Sequence, residues 1–201
     1  MSRIGIMGGT FNPIHKGHIK LAYAAYKELK LNKVWFMPSK NPPHKKKNDI
    51  ASDYHRVNMI KLAIESYKEF ELSEVELQRE GTTYTADTLS YLKEIYPEHE
   101  FYFILGADSL INIEKWYKPE KLFELTSFIV ASRDDVDKKD LDYHMEYLQN
   151  KYNNVKINIL NMDKIKVSST ELRKKYRDYK NIRNDIIDEK VHQYIKEYEV
   201  F

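Results

Sequence analysis

Ile4-Gly5-Ile6-Met7-Gly8-Gly9-Thr10-Phe11-Asn12-Pro13-Ile14-His15-Lys16-Gly17-His18 stands almost at the start of the chain. The apolar run Ile4–Met7 reads as a short buried strand, and Gly8-Gly9 end it. Glycines let the backbone turn sharply and come close to a ligand. Pro13 has no amide hydrogen and pre-sets the turn into a helix. That helix is expected over Lys16–Leu31, where Ile19, Ala22, Tyr23, Tyr26 and Leu29 recur on one face. His15 and His18 lie three apart around its first turn, which puts both imidazoles on one face. They stand at a positive helix end, beside free amides that suit phosphate oxygens. The pattern is neither G-x-G-x-x-G nor a Walker A loop. A glycine turn with two surface histidines, or half of a metal site, remain alternatives. Two histidines without a third ligand make a poor metal site, and the placing of Phe11 and Pro13 favours phosphate chemistry.

Outward from this segment, short apolar runs alternate with helix-period stretches. Val34–Met37 is a strand stopped by Pro38. Asp53 is expected to cap a helix carrying Val57, Ile60, Ile64 and Tyr67, and Leu72–Leu77 to be extended. Thr85 is expected to cap a helix carrying Leu89, Leu92 and Ile95. Phe101–Leu105, Phe128–Ala131 and Val155–Leu160 read as strands, Ser168–Tyr176 and Ile186–Tyr198 as helices. The alternation predicts an α/β fold: a doubly wound, mostly parallel sheet with helices on both faces. One domain over 1–201 is expected, with a small C-terminal helical part at about 168–201. Ligands of such sheets bind beyond the carboxyl ends of the strands. Asn41–Ser52, with two prolines, a histidine and three lysines, reads as a mobile loop over the site.

Composition narrows the function classes. Lys+Arg 33 against Asp+Glu 31 gives a net charge of +2 over 201 residues. No global basic field is present to grip nucleic acid, so no nucleic-acid partner is expected. With no cysteine, there is no disulfide framework, thiolate metal site or cysteine nucleophile. No apolar run approaches the roughly 20 residues that span a bilayer, and the first residues are too quickly broken by glycine for a signal peptide. A cytoplasmic protein with no membrane partner is expected. The tyrosine-rich exposed faces leave room for a homodimer.

Near the far end, Ser168 and Glu171 fit a capping box, S-x-x-E. Ser168, Ser169 and Thr170 place three hydroxyls at that helix start, with Arg173 one turn on. Hydroxyls, amides and a guanidinium together can clamp a polyphosphate.

Gly9–His18 resembles the T/H-x-G-H signature of the nucleotidylyltransferase superfamily. Val167–Arg173 resembles its I-S-S-T-x-I-R signature, with Val167 and Leu172 replacing isoleucines. Pro42-Pro43-His44-Lys45, Arg56, Gly81–Leu89, Gly106–Leu110 and Trp116-Tyr117, in that order, resemble the bacterial nicotinate-nucleotide adenylyltransferases. The resemblance implies a Rossmann-like nucleotidylyltransferase domain that transfers AMP from ATP to nicotinate mononucleotide. Nicotinate adenine dinucleotide forms and pyrophosphate leaves, by direct in-line attack. It implies that His15 and His18 hold the developing charge and that Gly8, Gly9, Thr10 and Phe11 help cradle ATP. Ser168, Ser169, Thr170 and Arg173 would grip the β- and γ-phosphates. The pyridine ring would stack on Trp116, and its carboxylate would meet Thr85 and the Tyr117 amide. By position rather than by resemblance, His44 and Lys45 are expected to meet the acceptor phosphate when their loop closes, Asp108, at a strand end, to line the ligand groove, and Arg133, just after the strand Phe128–Ser132, to meet ATP near its adenine or phosphates. Mg²⁺ would travel with ATP, with no protein metal ligands. For Asp108 the alternative is an N-cap, for Trp116-Tyr117 plain core packing, for Arg133 a surface position. Nicotinamide mononucleotide, another phosphorylated acceptor, or a non-catalytic sensor on the same fold are the rival functions.

Overall fold

The computed structural model describes residues 1–40, 50–131, 138–160, 162, 167–178 and 185–201. His44, Lys45 and Arg133 therefore lie outside the described residues, as does most of the expected loop. Six strands form one sheet: β1 (Arg3–Gly9), β2 (Lys33–Pro38), β3 (Phe70–Leu72), β4 (Glu100–Gly106), β5 (Ser127–Ala131) and β6 (Ile157–Leu160). Their order is β3-β2-β1-β4-β5-β6. β1 runs parallel to β4, β4 to β5 and β5 to β6. The order reverses beside β1, which is where sheets of this kind leave a ligand crevice at the carboxyl ends of the strands. The glycine turn thus leaves β1 at the sheet position expected for a ligand.

The chain divides into two compact units. The first comprises Met1–Met7, Leu21–Val34 and Tyr84–Lys164. Here Ile4, Ile6, Phe101, Phe103, Phe128, Ile129 and Val130 are buried. These inner strands are apolar almost throughout because both their faces are covered. Each fully buried side chain of this size contributes about 1.5–3 kcal/mol. This unit carries α3 (Thr85–Ile95), α4 (Ala107–Ile111), a 3-10 turn (Ile113–Lys115), α5 (Pro119–Leu125) and α6 (Lys138–Lys151). α3 packs on α5.

The second unit comprises Gly8–Lys20, Trp35–Thr83 and Ile165–Phe201. It carries α2 (Asp53–Ile64), α7 (Ser169–Arg177) and α8 (Glu189–Glu197), while α1 spans Lys16–Glu28. α8 buries Val191 and Ile195 and packs on α2, where Tyr194 Oη and His55 Nδ1 lie 2.9 Å apart.

Several local expectations need correction. Ser52, not Asp53, caps α2, its Oγ accepting from the His55 N–H at 3.3 Å. Thr85 is the first residue of α3 rather than its cap, and Tyr84 occupies the cap position with no side-chain bond. Leu72–Leu77 is not extended: the strand is Phe70–Leu72, and a turn follows with Gln78 N–H on the Glu74 carbonyl. α5 and α6 were not anticipated. Leu141 and Leu148 are the buried hydrophobics of α6, too sparse a stripe to mark a helix by periodicity.

Candidate active site

The phosphate-loop candidates all lie in the second unit. Gly8 and Gly9 end β1, and the Gly9 carbonyl accepts from the Ser39 N–H at 2.9 Å. Phe11 follows with φ 49°, a left-handed conformation costing a bulky residue about 1–2 kcal/mol. Its ring is 2 % exposed. It packs at 5.9 Å from Phe36 and edge-on at 5.1 Å from His18. That burial holds the strained turn. The Asn12–Pro13 peptide is cis, and Asn12 Oδ1 accepts from the Ala51 N–H at 3.0 Å. The Thr10 carbonyl accepts from Arg56 Nη1 at 2.8 Å.

His15 immediately precedes α1 instead of lying within its first turn. Its carbonyl accepts from the His18 N–H at 2.9 Å, and its own N–H donates to His18 Nδ1 at 3.2 Å. With Nδ1 an acceptor, neutral His18 carries its proton on Nε2. The two rings stack, with centroids 3.7 Å apart and planes 25° apart. Two positive imidazoles at this spacing repel unless an anion faces them, which suits a polyphosphate partner. Gly17 makes the stack possible. A Cβ there would lie 2.8 Å from His15 Nδ1 and 3.0 Å from Val167 Cγ1.

The distal motif reaches the same loop. Ser168 caps α7, its Oγ accepting from the Glu171 N–H at 3.2 Å, as the capping box required. Ser169 Oγ donates to the Pro13 carbonyl at 2.9 Å. Arg173 Nη1 donates to the Asn12 carbonyl at 2.8 Å, and its Nη2 to Thr170 Oγ1 at 3.3 Å. Ser169 and Arg173 thus hold loop carbonyls here, a contact that the motif reading did not foresee.

The acceptor-side candidates lie in the first unit. Asp108 is exposed on α4, one residue into the helix; Gly106 holds the cap position, so the N-cap alternative fails. Trp116 is half-buried and meets Phe103 edge-on at 6.1 Å. Tyr117 is 43 % exposed. Its ring lies 4.5 Å from that of Tyr84 and 4.8 Å from the Lys118 ammonium. Hydrogen bonding and charge from Tyr117 hold that ammonium above its ordinary range. Thr85 follows Tyr84 directly, so the structure brings the 84–85 and 116–118 segments together. The 3-10 turn before Trp116 is tied to α6. Glu114 Oε1 accepts from Lys151 Nζ at 2.7 Å, Tyr152 Oη at 3.0 Å and Tyr147 Oη at 3.4 Å. Its carboxyl sits below the usual range, chiefly through the Lys151 hydrogen bond.

Sequence reasoning gave no role to Arg56, Asn12, Tyr84 or Glu114. Arg56 had a signal: it falls four residues before Ile60 on the apolar stripe of α2, where a charge is out of place.

The profile of the cytidylyltransferase-like family matches residues 6–175. A probable nicotinate-nucleotide adenylyltransferase of Lachnoclostridium phytofermentans is 43% identical over 195 residues, 97% of this chain and 96% of that protein. One from Carboxydothermus hydrogenoformans is 41% identical over 194 residues, 96% of this chain and 95% of that protein. Among solved structures, Plasmodium falciparum nicotinic acid mononucleotide adenylyltransferase complexed with NaAD is 25% identical with a TM-score of 0.82. The match covers 100% of this chain and 97% of that one. The same enzyme complexed with APC gives a TM-score of 0.80 at 25% identity, with the same coverage. With its glycine turn, stacked histidines and capped α7 in a sheet of this order, the chain belongs to the cytidylyltransferase-like family and, within it, to the nicotinate-nucleotide adenylyltransferases.

Proposed function

We infer that this protein transfers AMP from ATP to nicotinate mononucleotide, releasing pyrophosphate and forming nicotinate adenine dinucleotide. The observation that carries this is the stacked His15–His18 pair at the start of α1, just after a loop whose carbonyls Ser169 and Arg173 hold. A phosphate monoester is already a nucleophile, so no general base is needed. Its oxygen attacks the α-phosphorus in line, the bond to the β-phosphate oxygen breaks, and the electron pair leaves on pyrophosphate. What remains for the protein is positioning and charge stabilisation. His18 Nε2–H and His15 supply donors where negative charge grows, and the α7 start with Arg173 supplies them for the β- and γ-phosphates. His44 and Lys45 are assigned to the acceptor phosphate and Asp108 to the nucleotide groove.

Trp116 offers an indole face to the cationic pyridinium. Thr85 and the Tyr117 amide are donors, matched to a carboxylate rather than to the amide group of nicotinamide. Mg²⁺ is proposed to enter on ATP and to screen the departing pyrophosphate. Among the described residues no cluster of three His, Cys, Asp or Glu side chains is placed to hold a metal ion, and the donors around the loop fit phosphate oxygens. No helix among the described residues is long and apolar enough to cross a membrane. One catalytic domain over 1–201, working in the cytoplasm, alone or as a homodimer, completes the reading.

The test is pyrophosphate release from ATP and Mg²⁺, with nicotinate and nicotinamide mononucleotides compared. Nicotinate should be preferred at least tenfold in kcat/KM, and His18→Ala should lower kcat 10²–10³-fold. Release with neither mononucleotide would overturn the reaction. Equal use of both would overturn the roles of Thr85 and Tyr117.

A further inference from the structure

We propose that Arg56 is a positioning residue for adenylyl transfer, holding the phosphate loop in its strained form so that loop amides face the nucleotide. The proposal rests on the reaction inferred above, and it arises from a group which that mechanism leaves unused. Arg56 is 0 % exposed and heads the largest wholly buried side chains among the described residues. A buried guanidinium is costly unless partnered, so its partners matter. Nη1 donates to the Thr10 carbonyl at 2.8 Å. Nη2 pairs with Asp53 Oδ1, whose side chain is 45 % exposed. Nε is buried with no hydrogen-bond partner among the described residues. An arginine kept inside with its Nε unpartnered is not explained by stability, since an apolar side chain of similar length would fill the same space without that penalty.

Its location supplies the reason. A trans peptide points its carbonyl and its N–H in opposite directions. Turning the Thr10 carbonyl toward Arg56 therefore turns the Phe11 N–H away from it. Ser169 does the same for the Ile14 amide, holding the Pro13 carbonyl and so aiming the Ile14 N–H the other way. Between them Phe11 sits at φ 49°, a conformation that relaxes unless both sides are fixed. Ala51, just before the α2 cap, adds a second tie through Asn12 Oδ1. The start of α2 thus grips residues 10 and 12 together, with Arg56 as the charged point of contact. The rigid guanidinium fork holds a carbonyl and a carboxylate at once in fixed geometry. Its fixed positive charge, behind the loop and out of water, also strengthens the field that the phosphates meet.

The full-length protein carrying Arg56→Met, Arg56→Lys or Asp53→Asn would be compared with wild type by thermal unfolding, steady-state kinetics and calorimetric titration of a non-hydrolysable ATP analogue. Arg56→Met should lower kcat/KM for ATP at least 30-fold and weaken the analogue at least fivefold, with KM for nicotinate mononucleotide within threefold of wild type. Arg56→Lys, which keeps the charge but loses the planar fork, should recover part of the loss. Asp53→Asn, which loosens the fork, should lower kcat three- to tenfold with the same split between substrates. Folded Arg56→Met with wild-type ATP parameters would overturn the proposal. So would equal losses for both substrates that follow the fall in Tm and vanish on cooling, which is the signature of a strut. If Arg56→Met does not fold, wild-type values in both Arg56→Lys and Asp53→Asn overturn it. A wild-type protein that binds the analogue but turns over no mononucleotide would sink the inferred reaction alone, and analogue affinity would still decide the role of Arg56.

Discussion

Gly17 shows how one missing methyl group can carry a mechanism. The His15 ring occupies the space where a Cβ would stand, 2.8 Å from Nδ1. Gly17→Ala lies in a helix, where alanine is otherwise favoured by about 1 kcal/mol. The clash reverses that benefit locally by moving His15. Displacement by about 1 Å can cost on the order of 10²-fold in rate. We expect Gly17→Ala to keep a near-normal Tm and to lose about 10²-fold in kcat, measured by pyrophosphate release. Trp116 makes the opposite kind of contribution, through area rather than absence. Trp116→Ala should raise KM for the mononucleotide at least tenfold and leave KM for ATP within threefold. Equal losses for both would mean that its edge-on contact with Phe103 is its whole role. Of these residues, His15, His18 and Gly17 are legible in sequence because their geometry is local, three or fewer positions apart. Trp116 is legible only by resemblance, since nothing local separates a ring platform from a core tryptophan.

At the scale of elements, the tie between α6 and the 3-10 turn gives a pH signature. Glu114 is held below its ordinary value near 4.5, chiefly by the Lys151 hydrogen bond, which outweighs desolvation, with the Tyr152 hydrogen bond adding less. A carboxyl lowered by folding adds stability that is full above its unfolded pKa and is lost as pH falls through the folded one. Glu114→Gln should therefore lower Tm near neutrality. The gap to wild type should close as pH drops below about 4.5. The pair is solvent-screened, so a shift of at most about 2–4 °C is expected. A gap that does not narrow as pH falls below about 4.5 in thermal melts would deny the tie. Neither α6 nor this network was readable from sequence. α6 is largely polar, and pairing Glu114 with a lysine 37 positions on needs the fold first. The inner strands were readable, because burial on both faces leaves an apolar run with little else to be. Caps were less so: Ser52 and Asp53 are both good capping residues, and only the backbone decides between them.

For the whole molecule, the phosphate loop is held by parts far apart in the chain: Arg56 at 46 positions, Ser169 at 156 and Arg173 at 161. A ligand bound there should report on all of them together. ATP at about 100 times its Kd should stabilise by about 2.7 kcal/mol, raising Tm by about 5–11 °C for a chain of this size. Arg173→Met should reduce that rise to less than half at the same ATP concentration, read by thermal unfolding with and without nucleotide. The two signatures could be recognised separately in the sequence, but their meeting at Asn12 and Pro13 could not, because no local pattern records a contact across most of the chain. That separation also sets a clock during synthesis. At about 5–20 residues per second, the ribosome makes Arg173 roughly 8–32 seconds after Asn12. Through that interval the nascent chain displays its nucleotide motif without the guanidinium that secures it, so competence to hold ATP is acquired late, with the emergence of α7.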